Sequence, residues 1–174
     1  VLGSVFNAAM RKGIASSNPV SVARKPRLPK GDSDLRFLSV EEVEALIRAT
    51  SDTDLGRIDA AIYLTAAMTG LRRGEIVALR WRDVDWVAGK IRVRASRRRG
   101  LTTGPKTQTS KRAVPMSNRV AGELDRLFQR SAYKHEDDPV FCNPDTGRHI
   151  DPDALTTRFK TARDRAGLPP IRFH

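Results

Sequence analysis

Arg72 follows Thr69-Gly70-Leu71, and Glu75 comes one helical turn later in Arg72-Arg73-Gly74-Glu75. The glycine breaks an apolar helical run, so Arg72 starts the next helix with Glu75 on the same face. A guanidinium is a planar fork that can donate two parallel hydrogen bonds to a phosphate. A helix N-terminus adds free backbone N–H groups and a field that favours anions. Both suit phosphoryl chemistry, in which charge builds on phosphate oxygens as the transition state forms. Trp81 and Asp83 then close the second helix into a turn. Further on, Arg97, Arg98 and Arg99 form a run beside Gly100, and Lys106, Lys111 and Arg112 follow.

The charge of the whole chain agrees with a polyanionic partner. Its 174 residues carry a net charge of +12, and that charge is uneven. Residues 1–30 hold six Lys/Arg and no acid, and residues 90–112 hold nine and again no acid. Clustering of this kind is hard to attribute to general solubility, and nucleic acid is the commonest partner. Apolar residues make up 39%, enough for one packed domain with part of another. The single cysteine, Cys142, excludes an intrachain disulfide. Val-Phe-Cys-Asn reads as a buried strand, with Cys142 a small core residue. No apolar run approaches a membrane span and no signal-peptide pattern opens the chain. A soluble, cytoplasmic protein without a membrane partner is expected. No metal-ligand spacing is present, and Asp151-x-Asp153 reads as a helix cap.

The elements that must position these residues can be read from periodicity. Leu2, Val5, Phe6, Ala9 and Met10 predict an amphipathic helix that ends near Gly13. Asn18-Pro19 turns the chain. A stiff basic stretch follows, with Pro19, Pro26, Pro29 and Gly31 among Arg24, Lys25, Arg27 and Lys30. That stretch is equally a solvated connector or a segment lying on nucleic acid. Ser39-Val-Glu-Glu42 is a capping box, with Val43, Leu46 and Ile47 facing a core. Residues 56–69 read as a buried helix and 73–80 as the next. Ile91 and Val93 alternate with Arg92 and Arg94 as in a strand. Residues 96–104 read as loop and 111–115 as extended chain. Ser117 caps a helix that buries Val120, Ala121, Leu124, Leu127 and Phe128. Asp151-Pro152 starts a last helix through Leu155, Phe159, Ala162 and Ala166, ended by Gly167. Tyr63 falls in an apolar helix, Tyr133 in a loop after a helix, and His135 and His149 in loops.

Thr-Gly-x-Arg-x-x-Glu followed by Leu-x-Trp-x-Asp resembles the first arginine box of the tyrosine recombinases, the phage-type integrases. Pro-Lys-Thr-Gln-Thr-Ser-Lys-Arg-Ala-Val-Pro, residues 105–115, resembles the family's Lys-Thr-x-x-Ser/Gly-x-Arg-x-Val/Ile-Pro hairpin. Arg172-Phe173-His174 resembles the approach to the motif His-x-Leu-Arg-His. The resemblance implies that Arg72 grips the scissile phosphate and that Glu75 and Asp83 orient it. It implies that Lys106 protonates the departing 5′-oxygen, a task an ammonium suits because a leaving alkoxide is strongly basic. His174 would be the proton-relay histidine. Arg73, Arg97, Arg98, Arg99, Lys111, Arg112, Arg24, Lys25 and Arg27 are expected to meet DNA, Lys111 and Arg112 as backbone clamps or as strand-face charges.

The second arginine, a later histidine or tryptophan, and the tyrosine nucleophile are expected beyond residue 174. The chain is therefore expected to be a fragment, inactive alone and monomeric in solution, that binds double-stranded DNA. In its full-length parent it would act as a homo-oligomer on DNA and cut and rejoin strands through a 3′-phosphotyrosine. The bond energy stays in the ester, so no cofactor is implied. The fold implied is mainly α with a small antiparallel β-sheet (α+β). Residues 1–18 would be the last helix of an N-terminal core-binding domain, 19–36 a basic linker, and 37–174 a partial catalytic domain. The alternative is a non-enzymatic DNA- or RNA-binding protein with a basic hairpin.

Overall fold

The computed structural model describes residues 2–23, 37–98, 100–104 and 112–173. Of the candidate residues, Arg24, Lys25, Arg27, Arg99, Lys106, Lys111 and His174 lie outside the described set. The chain divides into two compact units, Val1–Leu35 and Arg36–His174.

In the first unit the apolar spacing produces helix α1, Leu2–Arg11. Gly13 leaves it at φ 69°, a conformation a side chain resists. The stretch expected as linker opens on helical residues. Pro19–Val22 form a helical turn, α2. Asn18 caps it, its Oδ1 accepting from the Val20 N–H at 3.0 Å, and Pro19 sits where a missing N–H costs nothing. The Asn18 amide also donates to the Gly3 carbonyl at 3.2 Å, which ties α2 to α1.

The second unit opens with the capping box. Ser39 Oγ accepts from the Glu42 N–H at 3.2 Å and Glu42 Oε2 accepts from the Ser39 N–H at 2.9 Å. Helix α3, Val40–Arg48, buries Val43 and Leu46, while Ile47 is half-buried. Helix α4, Asp54–Thr69, is the central element, with Ile58, Ala61, Ile62, Tyr63, Leu64 and Thr65 all buried. Its near-uniform apolarity comes from being covered by several neighbours. Helix α5, Arg73–Ala78, is shorter than expected, because Leu79 turns extended and Arg80 bridges to Pro139. A 3₁₀ turn, Trp81–Asp83, follows.

Three strands, β1 (Val84–Asp85), β2 (Lys90–Val93) and β5 (Arg112–Pro115), form an antiparallel sheet in the order β1-β2-β5. Ile91 pairs with Val84 on one side and Val114 on the other, so the apolar face of β2 is held against the core. Residues 96–104 are not plain loop. Ser96–Arg98 (β3) and Leu101–Thr103 (β4) make a second, two-stranded hairpin. Its registers are Ser96↔Thr103, Arg97↔Thr102 and Arg98↔Leu101, and Gly100 turns at φ 77°. No apolar alternation marks it, because it is held by cross-strand pairs and by α5 rather than by core burial. Val140–Cys142 is buried as expected but is not a strand. It is fixed by single contacts, the Val140 N–H to the Leu79 carbonyl at 2.9 Å and a Cys142–His149 bridge.

Helices α6 (Asn118–Arg130) and α7 (Pro152–Arg165) complete the unit. Val120, Leu124 and Leu155 are fully buried, each worth about 1.5–3 kcal/mol of hydrophobic stabilisation. Trp81 packs edge-on against Phe128 at 4.9 Å, and its indole N–H donates to the Tyr133 carbonyl at 3.0 Å. That contact seats the turn after α5 on the end of α6. Among the described residues no helix is long and apolar enough to cross a membrane.

Candidate functional site

Helix α4 ends on Gly70 in the left-handed conformation, φ 64°. The chain then reverses through Leu71, which is buried and acts as the anchor. Arg72 is extended, φ −70° and ψ 151°, and occupies the N-cap position of α5. Its side chain is 77% exposed, so the guanidinium faces solvent from a helix start fixed on both sides.

Glu75 supplies the fixing. Its side chain is only 8% exposed. Oε2 accepts from the Arg72 N–H at 2.9 Å, and Oε1 lies 3.5 Å from the Arg72 guanidinium. Its main partner is Arg112 on β5, which donates to Oε1 at 2.9 Å and to Oε2 at 2.8 Å. Burial alone would raise the Glu75 carboxyl. The Arg112 hydrogen bonds, the Arg72 amide and the two guanidinium charges outweigh it and hold the carboxyl below its ordinary range. Glu75 is therefore an ionised cap.

Arg73 points elsewhere. Its guanidinium donates to the Pro152 carbonyl at 3.1 Å and to Thr156 Oγ1 at 2.5 Å, and lies 3.4 Å from Asp153 Oδ1. It fastens the start of α5 to the start of α7. Asp83 is buried and accepts from the Arg80 N–H at 3.2 Å, with Arg94 Nε 3.4 Å away. Burial raises its carboxyl against those contacts.

The arginine hairpin lies directly on α5. At Gly74 an added Cβ would come within 2.6 Å of Ser96 Oγ and 2.8 Å of the Arg97 carbonyl. The residue between Arg73 and Glu75 is thus small because β3 passes against it. Arg97 donates to Thr102 Oγ1 at 2.9 Å across the hairpin, and Arg98 is exposed. The structure brings Arg72, Glu75, Arg112 and the hairpin together around one short helix. Arg73 belongs to the scaffold of that helix.

His149 was expected to be an ordinary loop histidine, yet its Nδ1 lies 2.8 Å from the Val77 carbonyl and pins the loop to α5. Burial lowers its pKa, helped by Arg97 and Arg80, so the neutral ring is favoured. Neither this contact nor the Arg112–Glu75 pair had a sequence signal, since both join residues distant in the chain. Tyr63 is buried against Phe159 and Phe173, and burial raises its hydroxyl well above the ordinary value. The Tyr133 hydroxyl donates to the Asp145 carbonyl at 3.1 Å. Cys142 is buried and its thiol is pushed up by burial. Among the described residues no group of His, Cys, Asp and Glu is arranged to hold a metal ion.

This fold is shared with solved recombinases and integrases. The chain is similar to the crystal structure of XerA recombinase, with a TM-score of 0.61 and 21% identity, covering 98% of this chain and 55% of that one. It is also similar to lambda integrase, crystallised as a tetramer bound to a Holliday junction, with a TM-score of 0.63 and 20% identity over 99% of this chain and 48% of that one. Residues 36–174 match the model of the phage integrase family, and the chain belongs to that family. Among its relatives, the ICEBs1 integrase of Bacillus subtilis is 29% identical, covering 99% of this chain and 49% of the relative. Tyrosine recombinase XerC of Xanthomonas axonopodis pv. citri is 29% identical, covering 95% of this chain and 49% of the relative. The chain spans about half the length of these relatives.

Proposed function

We propose that this chain is the DNA-gripping part of a site-specific tyrosine recombinase, whose whole protein cuts and rejoins double-stranded DNA through a 3′-phosphotyrosine. The observation that carries the reading is Arg72, an exposed guanidinium at a helix N-terminus, held from behind by an ionised, buried Glu75. Such a group is preorganised for one phosphate. Arg97 and Arg98 on the adjacent hairpin neutralise the backbone around it, and Arg99 of the same run adds to them. Lys111, Arg24, Lys25 and Arg27 are further DNA contacts, and Lys106 and His174 are the proton-transfer groups, all assigned from the sequence. Arg73 and Arg112 are left out of the DNA contact, because protein acceptors already engage their guanidiniums.

Binding of a B-form duplex by this chain tests the reading. Arg98→Ala weakens binding to any duplex and flattens the salt dependence by about one phosphate's worth. A slope unchanged in Arg98→Ala would remove Arg98 from the contact, and tighter binding to an A-form RNA duplex than to B-form DNA would favour the RNA-binding alternative.

In the family, solved structures include DNA-bound dimers and tetramers of lambda integrase. The whole protein is proposed to assemble likewise on DNA, with this chain alone a monomer. Light scattering of the free chain at micromolar concentration reports one protomer mass; a stable dimer would contradict this.

A further inference from the structure

The arginines of the three-stranded sheet and its exit are paired with carboxylates. Arg92 is bonded to Asp85, Arg94 Nε lies 3.4 Å from Asp83, and Arg112 is bidentate on Glu75 at 2.8 and 2.9 Å. The described arginines of the β3–β4 hairpin differ: Arg97 donates to the Thr102 hydroxyl, and Arg98 is exposed. Among the described residues, arginines near the site therefore fall into two sets, one engaged inside the protein and one open to a polyanion.

Arg112 is the member of the first set with a route to the reactive group. It begins β5, where pairing with Val93 fixes its backbone. The carboxylate it grips is the one that caps the Arg72 amide and approaches the Arg72 guanidinium. An unpaired buried carboxylate would move toward solvent or take up a proton. Either response releases the start of α5.

We propose that Arg112 is a positioning residue, which sets Arg72, the arginine that meets the phosphate, through Glu75. This rests on the recombinase reading given above. Of the two roles expected for Arg112, backbone clamp or strand-face charge, it sets aside the first. The charged groups around Glu75 are Arg72 at its own helix start, Arg112 on β5, and Arg92, Arg94 and Asp83, which line the same small cleft. From the neighbouring elements come Arg97 on β3 and the Arg73–Asp153 contact on α7.

The test uses Arg112→Gln and, in case that variant folds poorly, Arg112→Lys. Two measurements need only this chain. The salt dependence of duplex binding keeps its wild-type slope in both variants, whereas a slope lowered by about one would make Arg112 a phosphate contact and overturn the proposal. The Glu75 carboxyl resonance titrates at higher pH in Arg112→Gln, and the Arg72 amide follows it with the same midpoint. An Arg72 amide indifferent to that titration would also overturn it. In the whole recombinase, single-turnover cleavage slows by about tenfold with duplex affinity kept, consistent with a small displacement of a reacting group. The loss deepens as pH falls through the raised Glu75 value, and Arg112→Lys recovers part of the rate. A uniform, pH-independent loss in both variants would reduce Arg112 to a structural ion pair. Failure of the recombinase reading has a different signature: the wild-type whole protein forms no covalent DNA adduct, while the two measurements on this chain still decide the Arg112–Glu75–Arg72 linkage.

Discussion

Replacing Arg72 with alanine in the whole recombinase slows DNA cleavage by roughly 10²–10³-fold, the scale for losing one transition-state donor, and leaves duplex affinity largely intact. The asymmetry follows from how the site is built. Arg72 is one guanidinium among many basic groups, so its share of ground-state attraction to the backbone is small. Its position is special, because it projects from the N-cap of α5 and its backbone is clamped by Glu75. A donor held this way needs little reorganisation when charge builds on a phosphate oxygen. Arg72→Lys recovers little, since an ammonium keeps the charge but loses the planar fork. Filter binding and single-turnover cleavage on the same duplex measure the two quantities. Parallel losses in affinity and rate would make Arg72 an ordinary clamp and remove the main support for the proposed function.

Arg72 was legible in the sequence because its setting is local. A helix end at glycine, an N-cap and a carboxylate one turn later all lie within a few residues, and local rules govern them. The helices were legible for the same reason, from Ser39, Ser117 and Asp151 at their starts and apolar residues at helical spacing. The β3–β4 hairpin was not, because its strands carry arginines and threonines with no buried face, and alternation is the only local mark a strand leaves. Arg73 and Arg112 look like surface charges in sequence. Their partners, Thr156 and Glu75, are brought to them by tertiary packing, which a pattern of charges does not encode. The Asp59–Arg158 pair was missed for that reason too, since Asp59 sits in an otherwise apolar helix and its partner is far along the chain.

That pair carries the largest expected effect on stability. Asp59 on α4 is 3% exposed. Arg158 on α7 donates to it through Nε at 2.5 Å and Nη2 at 2.9 Å, and joins the last helix to the central one. Burial pushes the Asp59 carboxyl up against the pull of Arg158. Arg158→Met strands that carboxylate and costs about 3 kcal/mol at neutral pH. Asp59→Asn costs much less, about 1 kcal/mol, because Arg158 is 29% exposed and its guanidinium can turn to water. The pH dependence separates a stranded charge from lost packing. Without Arg158 the folded-state value of Asp59 rises further above its unfolded value. A group raised in the folded state gives its best stability at low pH and loses it as pH rises through the folded value. The deficit of Arg158→Met relative to the wild-type chain is therefore full at neutral pH and narrows toward the ordinary carboxylate range. Urea unfolding of both variants at neutral pH and near pH 4 reads this directly. Equal deficits for Asp59→Asn and Arg158→Met, unchanged between the two conditions, would mean that α7 is held to α4 by Leu155, Phe159 and Ala162 alone, and that the ion pair adds nothing to their packing.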